Sequence, residues 1–357
     1  MTTSKRKIEH LDICTRENVE SQGNGLSDIE FVHRCLPEIN QADIDTRTTF
    51  LGHGFSAPLM IASMTGGHPG TTEVNANLAM AAGQLGLGMG VGSQRAALED
   101  PKMEDSYRIV REKAPDAFIY GNIGAPQLTQ YTIEDLERAV EMIDADAMAI
   151  HLNFLQEAIQ PEGNVDARGI IEKIAEVAGE LSVPVIVKET GAGLCHMDAY
   201  LLKKAGVAAI DVGGRGGTSW AGVEVFRART ERDEVSEHLG MKFWDWGIST
   251  AVRLVEADVG LPVVATGGIR DGIMMAKAMA LGASMSSVAL PLVSAARVSP
   301  EKVKKILELY IEELKAVMFL TGARSVEDMA RVPVIISGKT RDTLEARGFN
   351  WKAFAQR

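Results

Sequence analysis

Cysteine is scarce: Cys14, Cys35 and Cys195 are the only three in 357 residues. They lie far apart and lack zinc-ligand spacing. That argues against a disulfide-stapled scaffold and a cysteine metal site, and free thiols in a reducing compartment are expected. Positive charge is also short, with 37 Lys and Arg against 48 Asp and Glu, a formal net charge of −11. This balance argues against a general nucleic-acid binder and leaves any basic cluster as a local feature. Long apolar runs are missing, because Gly or a charge breaks each one well short of a membrane span. The opening MTTSKRKIEH has no apolar signal region, so a cytoplasmic protein is expected. No Pro/Ser-rich linker divides the chain. No GxGxxG follows the first strand-like run, which argues against a doubly wound dinucleotide domain.

What is present is a core-forming composition, 46% hydrophobic, with 35 glycines, many of them directly after apolar runs. From Pro58 a rhythm begins. Strand-length runs occupy Leu59–Met64, Leu87–Gly92, Ala117–Asn122, Ala147–Asn153, Val183–Glu189, Ala208–Gly213, Pro262–Thr266 and Met285–Leu290. Amphipathic helical segments alternate with them: Glu73–Leu85, Met103–Lys113, Ile133–Ile143, Asp166–Leu181, Met197–Ala205, Trp246–Asp258, Gly272–Leu281 and Pro300–Leu320. Parallel strands need helical crossovers, and eight such units match a closed (β/α)8 TIM barrel. The expected organisation is an N-terminal extension over 1–57, a barrel over 58–325 and a C-terminal tail over 326–357 packed on it. The charged stretch from Gly222 to Gly240 is too long for an ordinary βα loop and is expected to form a lid or flexible excursion.

Barrel chemistry sits at the C-terminal strand ends. Here those ends read MTGG, GSQR, NIG, HLNFLQE, KET, GGRGGTSW, TGGIRDG and ALP, all small, polar or charged. After the fourth run, His151, Asn153, Gln156 and Glu157 fall within seven positions. His151 and Asn153 share a strand face, and Gln156 and Glu157 can curl over the same mouth. Glu157 offers a carboxylate to a hard divalent cation. The glycines of TGGIRDG, before a helix and beside Ala289 and Leu290, suit a phosphate. Lys188 ends the fifth run, where it can form a Schiff base, neutralise an anionic cofactor or pair with Glu189 or Glu157. Small residues and amides at Met64–Gly67, Ser93 and Asn122 can wall a flat heteroaromatic ring. This combination resembles the flavin mononucleotide barrels.

Several motifs narrow the resemblance. RKIEH (Arg6–His10), SMTGG (Ser63–Gly67), GSQR (Gly92–Arg95), GNIGAPQL (Gly121–Leu128), HLNFLQE with PEG (His151–Gly163), VKE (Val187–Glu189), DVGGRGGTSW (Asp211–Trp220) and GGIRDG (Gly267–Gly272) occur in this order. From Arg6 to about Gly338 the chain resembles the type 2 isopentenyl diphosphate isomerases. It departs from their pattern at Asn164, where Asp is common, and at the LCH after Gly193.

The resemblance implies a diphosphate held by Arg6, Lys7, Ser93, Gln94 and Arg95, with His10 and His151 as further donors. It puts Gln156 against the isoprenyl end and Mg2+ on Glu157. FMN would be bound by Ser63, Met64, Thr65, Gly66, Ser93, Asn122, Lys188, Thr218, Gly268, Ile269, Arg270, Ala289 and Leu290. Asn153, Trp220 and Glu224 would line the site near substrate or metal. Catalysis would draw on Gln156, Lys188, His151, Asn153, Trp220 and Glu224. Reduced flavin would shuttle the proton at N5, with Lys188 near N1, after reduction by NADPH or NADH. The resemblance also implies a tetramer or octamer, acting on isopentenyl and dimethylallyl diphosphate. The alternatives are an FMN-dependent dehydrogenase on the same barrel, a Schiff-base lyase through Lys188, or a non-catalytic flavin-binding protein.

Overall fold

In the computed structural model, which describes residues 3–357, the eight apolar runs close into one parallel barrel. Its strands, in chain order, are Leu59–Ile61, Gly88–Gly90, Ile119–Gly124, Ala147–Leu152, Val185–Glu189, Ala209–Asp211, Val263–Ala265 and Met285–Val288. Each pairs with the next, and the eighth returns to the first through Ser286 opposite Leu59. Both faces of such strands are buried, which is why they read as continuous apolar runs. Leu59 and Ile61 pack outward against the helices, while Met60 points into the barrel with Tyr120, Ile186, Val264 and Met285.

The stretch over Thr46–Ala57, within the N-terminal extension, is a plug. Strands Thr48–Phe50 and His53–Phe55 form a hairpin. Its Phe50 and Phe55 join the interior cluster, with the Phe55 and Phe118 rings 5.4 Å apart. The N-terminal end of the barrel is thereby filled with aromatic side chains, and the opposite end carries the polar residues.

The crossover helices start where the sequence supplies caps. Thr132 and Asp135 make a reciprocal capping box at Ile133–Ile143, and Ser299 caps Pro300–Thr321 with Pro300 in the first turn. The charged stretch expected to be a lid is instead two packed helices, Trp220–Glu231 and Glu234–Lys242. The first ends at Arg232 in a left-handed conformation, and Asp233 caps the second by accepting from Val235 N and Ser236 N, both at 3.1 Å. Buried Val223, Val225 and Ala228 fix the first helix to the protein in spite of the surrounding charge.

The two ends of the chain meet. Ile29–Phe31 pairs antiparallel with Val334–Ile336, and fully buried Glu256 accepts from both Arg253 and Arg347. Among the described residues no helix is long and apolar enough to cross a membrane.

Candidate active site

Strand register builds the floor of the site. Gly124 lies opposite His151, His151 opposite Lys188, and Lys188 opposite Asp211. Above this row lies the N-terminal helix, Thr3–Arg16. Its Lys7, His10, Leu11 and Cys14 recur at helical spacing, so they share one face, and that face roofs the barrel mouth. Two adjoining compartments result. Lys7, His10, Ser63, Met64, Lys188, Thr190 and Trp220 belong to both.

The first compartment runs over the ends of the sixth, seventh and eighth strands. Thr218, Gly268, Ile269, Arg270, Ala289 and Leu290 line it together with Thr65. Two glycine loops press together at its far end. Gly267 has φ +101°, and a Cβ there would overlap Gly214 O; a Cβ on Gly217 would sit 2.7 Å from Gly268 N. Only glycines permit this approach, which leaves bare backbone facing the cavity. The N-terminal extension braces both loops. Asn24 Nδ2 donates to Gly268 O at 2.7 Å, and Ser21 Oγ accepts from Gly216 N at 2.9 Å. Arg270 Nη2 and Nε donate to Glu20 Oε1 at 2.8 and 3.0 Å, which holds the guanidinium at the cavity edge. Thr65 Oγ1 is buried without a partner. A glycine cradle, a tethered arginine, an unpaired hydroxyl and Lys188 fit a phosphorylated flavin. Glu20, Ser21 and Asn24 were not anticipated from sequence; the Gly/Asn-rich SQGNG was their one signal. Gly66, expected at the flavin, lies behind the wall, and a Cβ there would overlap the Tyr107 ring.

The second compartment is polar and lies over the second to fifth strands. Arg6, Ser93, Arg95, Asn122, His151, Asn153, Gln156, Glu157 and Gln160 line it. Ser93 and Asn122, expected at the flavin edge, therefore face this side. His151 Nδ1 donates to Asn122 Oδ1 at 2.9 Å. Gln94 is a correction. It is fully buried, with Nε2 donating to Ala139 O at 2.6 Å and Oε1 accepting from Asn122 N at 3.0 Å, so its side chain anchors the third strand and does not line the compartment. Glu224 is another. It lies one layer behind the lining, where Oε1 accepts from Gln156 Nε2 at 2.7 Å and sits 3.4 Å from His10 Nε2.

Charge is crowded here. Burial, then Arg6 and Arg95, push the Lys7 ammonium down to about 7. Burial lowers His10 as well. His151 falls well below the usual imidazole range through burial, then the charges of Lys188 and Lys7. A compartment that disfavours its own cations is a compartment built for an anion. Glu157 is buried at its edge, accepting from Asn153 Nδ2 at 2.9 Å and Asn164 N at 2.7 Å. The backbone of Asn164, not its side chain, does this. Among the described residues no three His, Cys, Asp or Glu side chains converge as a metal cage. A cation at Glu157 would therefore draw its remaining ligands from an anionic substrate and water, the usual habit of Mg2+.

Comparison with known proteins agrees with this geometry in two stages. The family model described as FMN-dependent dehydrogenase matches residues 3–139 and 137–335, so the chain is an FMN-binding protein of that barrel class. A mandelate oxidase variant superposes with a TM-score of 0.63 at 18% identity, covering 94% of this chain and 96% of the other. A Pediococcus acidilactici protein described as a lactate oxidase gives 0.64 at 16%, covering 94% and 92%. At such identities the likeness is one of fold. Much nearer in sequence is the isopentenyl-diphosphate delta-isomerase of Methanosarcina mazei, 56% identical over 353 residues, 98% of this chain and 97% of that one. The Archaeoglobus fulgidus isopentenyl-diphosphate delta-isomerase is 53% identical over 348 residues, covering 98% and 100%. The chain belongs to the type 2, flavin-dependent isopentenyl-diphosphate delta-isomerase family.

Proposed function

We propose that the second compartment holds the diphosphate of isopentenyl or dimethylallyl diphosphate, with the hydrocarbon end reaching past Gln156 and Trp220 toward FMN in the first. The chain is an isomerase interconverting these two compounds by a flavin-dependent route. One proton adds at the terminal alkene carbon and another leaves the allylic carbon, so no atom is gained or lost overall. The observation that carries the substrate placement is the junction itself: Lys188, Lys7 and Trp220 line both compartments, so a ligand in one touches the other.

Bound reduced FMN supplies the acid–base chemistry at carbon. The protein's own residues do the rest. Arg6, Lys7 and Arg95 supply charge to the diphosphate, arginine as a fork and lysine as a point charge. Neutral His151 holds Asn122 and can take up a proton when the anion arrives. Glu157 offers one carboxylate to Mg2+. His10 and Trp220, their rings 5.3 Å apart and edge-on, close the hydrocarbon side against water. NADPH or NADH would reduce the flavin without being consumed in each turnover. Exposed Met197, Tyr200 and Leu201 on one helix support a homo-oligomer.

The test is direct. Purified yellow protein, reduced anaerobically with dithionite in the presence of Mg2+, should convert isopentenyl to dimethylallyl diphosphate until both are present. A protein that oxidises a 2-hydroxy acid and leaves the alkene untouched would put it with the dehydrogenases.

Two expectations follow from the charged compartment. Arg6→Ala should raise the Michaelis constant about tenfold or more, the worth of one charge-assisted contact, with flavin content unchanged. An unaltered constant would make Arg6 a partner of Glu162 only. Substrate binding should also take up protons. Lys7 sits near 7 in the empty site and rises when an anion neutralises its surroundings, and His10 and His151 start neutral. Uptake by Lys7 should be marked between pH 7 and 9 and fade toward pH 6, where Lys7 is mostly charged before binding; protons taken up below that belong to His10 and His151. Calorimetry with pyrophosphate in buffers of different ionisation enthalpy measures it, and equal heats in all buffers at pH 8 would contradict it.

A further inference from the structure

Arg227 lies in the run FRARTER, which reads as a solvated helix face, yet its side chain is only 3% exposed. Four carboxylates from three segments surround it. Nη1 donates to Glu224 Oε2 at 2.7 Å and Nη2 to Glu162 Oε1 at 2.8 Å. Glu231 of the same helix is 3.7 Å away, and Glu9 of the N-terminal helix 3.9 Å. Each of the two closest acids also touches the site. Glu224 holds the Gln156 amide and neighbours His10. Glu162 receives Arg6 Nη1 at 3.3 Å, and Arg6 reaches Gln160 Oε1 at 3.4 Å. The helix Glu234–Lys242, packed on the other flank, contributes Glu237, which pairs with Arg229 at 2.8 Å and stays outside this cluster. A buried guanidinium is costly unless its partners are held by the fold, so this arrangement is kept for what it positions.

We propose that Arg227 is a positioning residue that ties the seating of the N-terminal helix to alignment of the Gln156 amide. It fixes the Glu224 carboxylate behind Gln156 and, through Glu162, clamps the Arg6 end of the roof. The inference rests on the reading of the second compartment as a diphosphate site. Burial alone would raise the Glu224 carboxyl, but His10, its Nε2 3.4 Å away, and after it the Arg227 charge and the Gln156 amide hold it below the usual range. His10 is itself pushed down by burial, so Arg227 is the permanent charge beside this carboxylate. Lys7 and Arg6 face the same cluster from the roof. Without Arg227, protonation of Glu224 would remove the charge from the acceptor that holds the Gln156 amide.

The experiment uses FMN-loaded protein with three variants, Arg227→Gln, Arg227→Lys and Glu162→Gln. It measures kcat against pH, pyrophosphate binding by calorimetry, and flavin content. Arg227→Gln should move the acid limb of kcat up by about one pH unit. It should also weaken pyrophosphate about tenfold, through the freed roof. Arg227→Lys should restore the limb but not the binding, because an ammonium cannot fork to both acids. Glu162→Gln should weaken binding and leave the limb in place. Flavin content should match the parent in all three. An unmoved limb in Arg227→Gln, or parallel loss of flavin, binding and rate as melting temperature falls, overturns the proposal. If Arg227→Gln does not fold, the split between Arg227→Lys and Glu162→Gln decides, and no split overturns it. A parent protein that fails to bind pyrophosphate removes the diphosphate reading itself; a parent that binds while the variants show no split removes only the coupling.

Discussion

Glu157→Gln is expected to lower kcat/KM by about 100-fold or more and to shift the Mg2+ requirement upward, while the protein stays folded and yellow. The magnitude follows from loss of the one carboxylate at the edge of the diphosphate compartment, where ligand-sphere changes typically cost 10- to 100-fold in metal affinity or activity. The fold should tolerate the change for a specific reason. Glu157 Oε2 accepts from the fixed backbone N–H of Asn164, and Oε1 accepts from Asn153 Nδ2. A glutamine can keep its oxygen toward Asn164 and turn its NH2 toward Asn153. Asn153 Oδ1 is buried without a partner, so that side chain can flip and accept. Both contacts of the substituted side chain then remain hydrogen-bonded, and what is lost is charge. Activity titrated against Mg2+, with flavin absorbance per protein as the control, separates the outcomes. A Mg2+ response equal to the parent's would remove Glu157 from the metal role, and loss of flavin would make it a structural residue.

The legible parts of this molecule are those whose physics is local. Strands buried on both faces announce themselves as apolar runs, and polar residues at one end of all eight mark the mouth. The period of two along Ala147–Leu152 set His151 and Asn153 on one face, and a short helix, Phe154–Ile159, then turned Gln156 and Glu157 toward it. The PEG glycine also has a local cause, because a Cβ on Gly163 would overlap Glu157 O and force the loop off the carboxylate.

What escaped was decided by distant partners. Gln94 stands in a polar motif between two site residues, but its amide is consumed by a carbonyl 45 positions later. Arg227 is surrounded by charge in sequence and becomes buried only because Glu162 and Glu9 arrive from other segments. The stretch after Gly222 is charged enough to resemble a mobile cover. Val223, Val225 and Ala228 carry its first helix into the interior, Val235 and Met241 of the second stay exposed, and the cap at Asp233 separates the two. Glu20 reaches Arg270 across 250 residues, a pairing no spacing rule anticipates. For Gln94, Arg227 and Glu20 alike the deciding partner lies far along the chain.

Lys188→Ala should leave the barrel intact and alter the flavin. Lys188 ends the fifth strand between the two compartments, opposite His151 on one side and Asp211 on the other. The adjacent carboxylate does not neutralise it closely. Glu189 Oε2 is turned into its own loop, accepting from Gly191 N, Ala192 N and Gly193 N at 2.7 Å each. Among the described residues Lys188 Nζ hydrogen-bonds only Glu189 O, at 3.5 Å. Asp211 is engaged by Thr266 Oγ1 and Gly213 N. The ammonium is thus left to meet whatever negative charge the ligands bring. At an effective dielectric near 20, a unit charge about 5 Å from a bound ring is worth roughly 3 kcal/mol. For a two-electron couple that corresponds to a midpoint potential lower by about 70 mV when the charge is removed. The rate should fall by about 100-fold even with excess dithionite, because a fixed electrostatic contact at the reacting centre is typically worth that much. Reductant in excess removes slow reduction as the cause, so the two readouts are independent. Spectroelectrochemical titration gives the first and the anaerobic isomerase assay the second. A potential and a rate both equal to the parent's would make Lys188 a strand-end residue that the flavin does not feel. A lowered potential with an unchanged rate would mean that the charge tunes reduction of the cofactor and takes no part in moving the proton.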